Sequence, residues 1–325
     1  MSDVIKSTYQ SSKFDHLDLF GSSYDQLLTL LQEQIDTGIE PYLVMTPNPE
    51  QVMLSRKNKV FLDHLQSANL RIPDGIGLVL ASRWHSLWSG GRSIQQRITG
   101  VDVMQDLLEY AKQRSKRVLI VGGKDFGSDS GKIQIKHATY WQLDIREFSG
   151  LDAGPDVGAT SRSTTTTTTF TTGAAAVESA DEVLVGGTEE GKEQGQGQKK
   201  HTKAVEIFWT PGFEEVRQQT EAEKKQLKQI IMQVRPSIVF VAFGAPDQEA
   251  WLIEWQSVLQ QAGVVLAMVV GGAPDILLGK ISRAPKTMQQ LGLEWLYRLW
   301  QQPWRWRRQV RLLEFIWYAI RSPWL

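Results

Sequence analysis

Five times along this chain a short apolar run ends in a turn of glycine or polar residues and gives way to a helical pattern. The runs are Pro41–Thr46, Leu70–Ile72, Arg117–Val121, Ser237–Phe243 and Val264–Val270. Their turns are Pro47-Asn48-Pro49, Pro73-Asp74-Gly75, Gly122-Gly123, Gly244-Ala245-Pro246-Asp247 and Gly271-Gly272-Ala273-Pro274-Asp275. Continuous apolar runs of this length read as strands buried on both faces, and strands that alternate with helices form a parallel sheet. The expected fold class is therefore α/β: a mostly parallel, Rossmann-like sheet with helices on both faces, binding ligands at the carboxyl ends of its strands. A further run, Val205–Trp209, precedes Pro211-Gly212 and a helix expected over Glu214–Val234.

The strand ends hold most of the polar candidates. Asp74 stands at a strand-to-helix corner, where the unpaired N–H groups of a helix start suit an anion such as a phosphate. The same residue also reads as a turn or N-cap aspartate. Thr46 and Asn48 mark another strand end, and Asn48 doubles as the cap of a helix starting at Pro49. Arg97 precedes a helix start at Thr99 or Asp102, placed either to reach a phosphate or to lie on the surface. Gly122, Gly123, Gly244, Gly271 and Gly272 allow close backbone approach to a substrate. The chain holds neither a G-x-G-x-x-G fingerprint nor a P-loop.

Composition narrows the chemistry. Lys+Arg and Asp+Glu number 36 each, so no global field draws nucleic acid. The lack of cysteine removes disulfide frameworks, thiolate zinc sites and a cysteine nucleophile, and fits a cytoplasmic protein. The five histidines are scattered without ligand spacing and no Gly-x-Ser-x-Gly elbow occurs, so neither a metal centre nor a serine hydrolase is expected. No cofactor is called for. A carboxylate, an arginine or two and glycine-rich strand ends suit group transfer from a nucleotide-activated donor, with Asp74 as base.

Three segments depart from the rhythm. Residues 1–22 read as a polar N-terminal tail ahead of an α/β domain at 23–286. Residues 150–203, rich in Ser and Thr and then in Gly, Glu, Gln and Lys, are expected to be a disordered insertion in that domain. Residues 287–325 are expected to form a basic, Trp-rich helical appendage, because Trp295–Leu325 holds six of the chain's 12 tryptophans and six arginines. Aromatic and basic residues so interleaved suit an anionic membrane surface, and packing on the core or on a partner subunit is the alternative. No uninterrupted apolar stretch reaches the roughly 18 residues of a spanning helix.

A set of motifs occurs in a fixed order: Thr46-Pro47-Asn48-Pro49-Glu50, Pro73-Asp74-Gly75-Ile76-Gly77, Arg97-Ile98-Thr99-Gly100-Val101-Asp102, Val121-Gly122-Gly123, Phe243-Gly244-Ala245-Pro246-Asp247-Gln248-Glu249, Gly271-Gly272-Ala273-Pro274-Asp275 and Arg283-Ala284-Pro285-Lys286 through Gly292–Arg298. Together they resemble the bacterial N-acetylmannosaminyltransferase family of teichoic-acid and surface-polysaccharide assembly, the WecG/TagA/CpsF type, over about residues 25–136 and 205–320. The resemblance implies an inverting, metal-independent glycosyltransferase. Its donor would be a UDP-N-acetylhexosamine, typically UDP-N-acetylmannosamine, and its acceptor a polyprenyl-diphosphate-linked N-acetylglucosamine. Asp74 would inherit the role of base, with Thr46 and Asn48 beside it and Arg97 and Gln248 contacting substrate. Arg298, Arg305, Arg308 and Arg311 would belong to an appendage that meets the acceptor diphosphate and an anionic membrane, peripheral on the inner face of the cell membrane. Asp247 stands where the family often has lysine. A UDP-hexose or UDP-uronic-acid transferase and a non-catalytic membrane-associated scaffold are the alternative readings, and a homo-oligomer is compatible with all of them.

Overall fold

The structure, a computed structural model, describes residues 9–123, 132–135, 138–143, 206–303 and 306–321. Its strands are β1 (Ser11–Phe14), β2 (Leu17–Phe20), β3 (Tyr42–Met45), β4 (Leu70–Arg71), β5 (Val118–Gly122), β6 (Lys132–Ile135), β7 (Ala138–Leu143), β8 (Ile207–Thr210), β9 (Ile238–Ala242) and β10 (Leu266–Val269). Its helices run α1 (Tyr24–Thr37), α2 (Pro49–Lys57), α3 (Lys59–Ser67), α4 (Ile76–Ser89), α5 (Gly100–Gln113) and α6 (Glu221–Val234). They continue as α7 (Asp247–Glu254), α8 (Gln256–Ala262), α9 (Ala273–Leu277), α10 (Lys286–Gln290), α11 (Glu294–Gln301) and α12 (Trp306–Arg321).

The main sheet has the order β4-β3-β10-β9-β5-β8-β7-β6. The six strands from β4 to β8 are parallel to their neighbours, and β7 and β6 add an antiparallel edge. Side chains on successive strand residues point to opposite faces, so each apolar run feeds two cores. Leu43, Met45, Val239, Val241, Ala267 and Val269 pack against α2, α3, α4, α6, α7, α8 and α12. Tyr42, Val44, Ile238, Phe240, Leu266 and Met268 pack against α1, α5 and α9. Burial on both faces explains why these strands show no polar alternation.

Four boundaries differ from expectation. Within the expected polar tail, β1 and β2 form an antiparallel hairpin that buries Phe14, Leu17, Leu19 and Phe20. Each arm offers only a few apolar residues, too short a run for alternation to stand out, and burial supplies what the pattern could not announce. The polar and aromatic stretch His85–Gly91 reads as a loop in the sequence, but helix α4 continues through Ser89 to a left-handed Gly90 and takes in most of it. Helix α6 starts at Glu221 rather than Glu214, because Thr220 and Glu223 form a reciprocal cap there. Residues Trp141–Phe148, at the edge of the expected insertion, read as a strand in the sequence, and the strand there is β7, a few residues earlier at Ala138–Leu143. The insertion expected at 150–203 lies outside the described residues.

The carboxyl-terminal segment is helical, and one face of α12 joins the core through Phe315, Tyr318 and Ala319. Lys57 Nζ lies 2.8 Å from Glu314 Oε2, and the Arg56 guanidinium stands 4.0 Å above the Tyr318 ring. These contacts pin α12 against α2. The opposite face leaves Leu313 and Trp317 exposed.

Candidate active site

The carboxyl ends of β3, β4 and β10 make one wall of a cavity of about 810 Å³. At the end of β3 the Thr46 hydroxyl donates to the Val269 carbonyl (3.3 Å), tying that strand end to β10. Asn48 Oδ1 accepts the Gln51 N–H and Gln51 Oε1 accepts the Asn48 N–H, each at 2.9 Å, so the cap of α2 is locked from both sides. Beyond β4, the Asp74 N–H donates to the Pro47 carbonyl (2.9 Å) and Asp74 pairs with Ile98 in an isolated parallel bridge. Gly75 follows at φ 98°, a turn open to glycine, and α4 starts at once. Thr99 caps α5 by accepting the Asp102 N–H at 3.2 Å. The Gly100 N–H, at the first residue of that helix, favours the charged form of the Asp74 carboxylate.

The facing wall comes from α11, the turn before it and α12. Leu291, Glu294, Trp295, Arg298 and Leu299 line the cavity there, with Phe315 and Ile316 of α12. Ion pairs bind this wall to the first. Arg97 Nη1 donates to the Gln289 carbonyl (2.6 Å), and its guanidinium pairs with Glu294. Glu294 also takes Arg283 Nε at 3.4 Å, and Arg283 Nη2 lies 2.6 Å from Asp102 Oδ1. Asp102 Oδ2 accepts the Thr99 hydroxyl at 2.5 Å, which completes the chain of alternating charges back to the head of α5.

Asp74 is half-buried and lines the cavity. Burial raises its pKa above the ordinary aspartate range. Arg298, then Arg97, then the Gly100 N–H oppose that rise, while Asp102 adds to it. Burial lowers the pKa of both arginines, and the charge of Asp74 pulls each back up. Guanidinium groups remain charged under any such shift that neutral pH can test. The cavity therefore holds a carboxylate whose raised proton affinity suits proton abstraction, and two fixed positive charges in the same lining that can meet an anion.

The sequence matches the Glycosyl transferase WecG/TagA/CpsF family over residues 14–145 and 159–325. The chain belongs to this family. Two Bacillus proteins named N-acetylglucosaminyldiphosphoundecaprenol N-acetyl-beta-D-mannosaminyltransferase are similar to it. The one from Bacillus subtilis (strain 168) is 26% identical over 273 residues, covering 84% of this chain and 77% of the relative. The one from Bacillus spizizenii is 25% identical over 309 residues, covering 94% and 90%. Membership in the WecG/TagA/CpsF family makes this chain a glycosyl transferase, and the motifs that carried the resemblance fall largely on the two walls described above.

Of the residues singled out in the WecG/TagA/CpsF motifs, Thr46, Asn48, Asp74, Arg97 and Arg298 line one cavity. Gln248 lies behind it. It is buried, its Oε1 accepts the N–H groups of Gly244 (3.2 Å) and Gly271 (3.1 Å), and its Nε2 donates to Glu249 Oε1 at 3.0 Å. Its amide thus ties the end of β9 to the end of β10. The five glycines also lie outside the cavity lining, although Val270 and Ala273, on either side of Gly271 and Gly272, belong to it. The Gly122 carbonyl accepts the Trp209 indole N–H at 2.8 Å, and a Cβ at Gly122 would meet the Phe243 ring at 2.7 Å, so close packing explains that glycine. Arg311 is exposed on α12, only the helical backbone of Arg308 is described, and Arg305 lies outside the described residues. Asp247 pairs with Arg217 at 3.1 Å and takes no part in the cavity. Asp102, Arg283 and Glu294 were not singled out as site residues. The signal for Arg283 and Glu294 was their place in the last motif, but nothing local to them names a partner. Among the described residues no cluster of three or more His, Asp or Glu is arranged to hold a metal.

Proposed function

We propose that this protein transfers N-acetylmannosamine from UDP-N-acetylmannosamine to an N-acetylglucosaminyl-diphosphopolyprenol. The sugar and the acceptor are those in the names of the two Bacillus relatives. The observation that carries the reading is that the half-buried Asp74 shares one cavity lining with Arg298 and Arg97. In the reaction Asp74 takes the proton of the acceptor hydroxyl as that oxygen attacks the anomeric carbon from the face opposite UDP. The bond to the diphosphate oxygen breaks in the same step and the anomeric centre inverts. Arg298 and Arg97 meet the negative charge of the diphosphate, the task a divalent cation performs elsewhere, so turnover continues in a chelator.

The outer tryptophans of the appendage, Trp300, Trp306 and Trp317, are exposed, as is Arg311. They support a peripheral site on the inner face of the cell membrane, with indoles at headgroup level and arginine at lipid phosphate. Among the described residues no helix is long and apolar enough to cross a membrane. Sedimentation with anionic vesicles, but not with neutral ones, is the expected behaviour.

The reaction is tested by UDP release from a panel of UDP-N-acetylhexosamines, with and without a synthetic GlcNAc-diphosphate acceptor. Acceptor-dependent release from UDP-N-acetylmannosamine alone is expected. Release from another UDP-sugar instead would correct the donor, and no release from any would overturn the transferase reading.

A further inference from the structure

The cavity joins two chemistries. Its polar groups, Asp74, Arg97 and Thr99 with Glu294 and Arg298, gather at the strand ends and on α11, while two other helices, α4 and α12, add long apolar stripes to the lining. Helix α4 begins two residues after Asp74 and lines the cavity with Ile76, Leu80 and Trp84. That four-residue interval keeps them on one face, and the helical rise sets Trp84 about 12 Å beyond Ile76. Helix α12 contributes Leu312, Ile316 and Ile320 at the same interval, so a second stripe of matching length lies across the cavity. The two stripes hold no charged residue. They are also open to solvent, with Leu80 57% and Ile316 46% exposed.

A sugar nucleotide has no use for such a lining. Its phosphates and hydroxyls want Arg97, Arg298 and Asp74, and apolar side chains kept exposed beside a polar floor signal a ligand that covers them. The ligand that satisfies both ends is an amphiphile with an anionic head and a hydrocarbon tail. We propose, resting on the transferase reading above, that the groove between α4 and α12 holds the leading isoprene units of the acceptor's polyprenyl chain. The acceptor's diphosphate then lies where the groove meets the polar end of the cavity, one sugar away from the hydroxyl at Asp74, and the tail leaves along the two stripes. A flat bilayer cannot follow side chains that line a cavity, and Trp300, Trp306 and Trp317, the residues offered to the membrane, lie outside that lining. The groove and the membrane face are thus separate surfaces of the appendage.

The test uses the full chain in detergent-free buffer with two acceptors, GlcNAc-diphosphate carrying a short alkyl tail and the same head carrying a farnesyl tail. Burying the extra hydrocarbon lowers KM for the farnesyl acceptor by roughly tenfold or more in the wild type. The double variant Leu80→Asn, Ile316→Asn alters exposed positions, so it is expected to fold, as circular dichroism and thermal melting check, and most of the tail-length advantage disappears. A farnesyl acceptor with a photoreactive terminal group labels peptides of α4 and α12. Turnover that ignores tail length in the wild type, or a variant that keeps the full advantage, overturns the groove while leaving the transferase standing. Labelling elsewhere, a loss of vesicle binding without change in the tail-length ratio, or a change in oligomeric state instead of that ratio does the same. If neither acceptor is turned over with any donor, the transferase reading fails, and photolabelling still decides whether the groove takes the lipid.

Discussion

The two walls of the cavity are built in opposite ways. The strand-end wall is capped locally, Thr99 through Asp102 and Asn48 through Gln51, with Asp74 between a strand and the helix it starts, although Thr46 also reaches the Val269 carbonyl 223 residues away. The appendage wall is remote. Arg97 reaches a carbonyl 192 residues away, and the bonds that follow join charged groups on separate elements. The first wall fixes where Asp74 sits. The second determines what Asp74 feels, since Arg298 is the largest influence opposing the proton affinity that burial gives it. Chemical identity and chemical competence thus reside in parts of the chain that fold by different rules.

The largest expected effect is on the local wall. Asp74→Asn keeps the shape and loses the base, so kcat falls by about 100- to 10,000-fold while donor binding, measured by calorimetry, stays within about twofold. Because burial holds the native pKa of Asp74 above its unfolded value, the ionised group weakens the fold as pH rises. The variant therefore melts at or above the wild-type temperature, and a large drop in melting temperature would reassign Asp74 to structure. Next comes the remote wall. Arg298→Gln removes a charged contact and should lower kcat/KM by about 10- to 100-fold, and an unchanged value would reduce the appendage to a membrane anchor.

Smaller effects probe the bonds between the walls. Glu294→Gln releases Arg97 and should cost less than Arg298→Gln, about fivefold. In a double-mutant cycle with Arg97→Gln, the combined loss should fall short of the product of the single losses, because the two residues act as a pair. Strict multiplicativity would show that the pair contributes nothing. The smallest effect lies behind the strand-end wall. Glu249 is wholly buried, accepts Gln51 Nε2 and Gln248 Nε2 at 3.0 Å each, and burial pushes its pKa up to about 7. The native state then binds more protons than the unfolded one between 4.5 and about 7, so stability falls as pH rises through that window. Glu249→Gln should lack that slope, gaining a few degrees of melting temperature on the wild type between pH 5 and pH 8. Parallel curves for the two proteins would rule the charge out.

The same division explains what was legible in the sequence. Apolar runs, turn glycines and cap residues report contacts a few positions apart, so the parallel sheet, the caps at Asn48 and Thr99 and the placing of Asp74 could all be read. Gln248 and the glycines were readable as a motif but not in role, because hydrogen bonds to Gly244 and Gly271 turn a polar strand-end residue into a strut. The hairpin of β1 and β2 escaped because each strand has four residues and gains its stability from burial. Arg283 and Glu294 escaped for a related reason: an ion pair between distant elements leaves no spacing to detect. Arg298 was recognised by composition as a basic appendage residue, and only the tertiary fold brings it beside Asp74.

The most direct test of the account is the acid limb of kcat/KM for acceptor-dependent UDP release, measured for the wild type and for Arg298→Gln. If Asp74 is the base, the wild-type limb lies above the ordinary aspartate value of about 3.9. It moves to still higher pH in Arg298→Gln, because the charge that helps keep Asp74 ionised is gone. A limb at or below that value, or one that stays in place when Arg298 is removed, would contradict it.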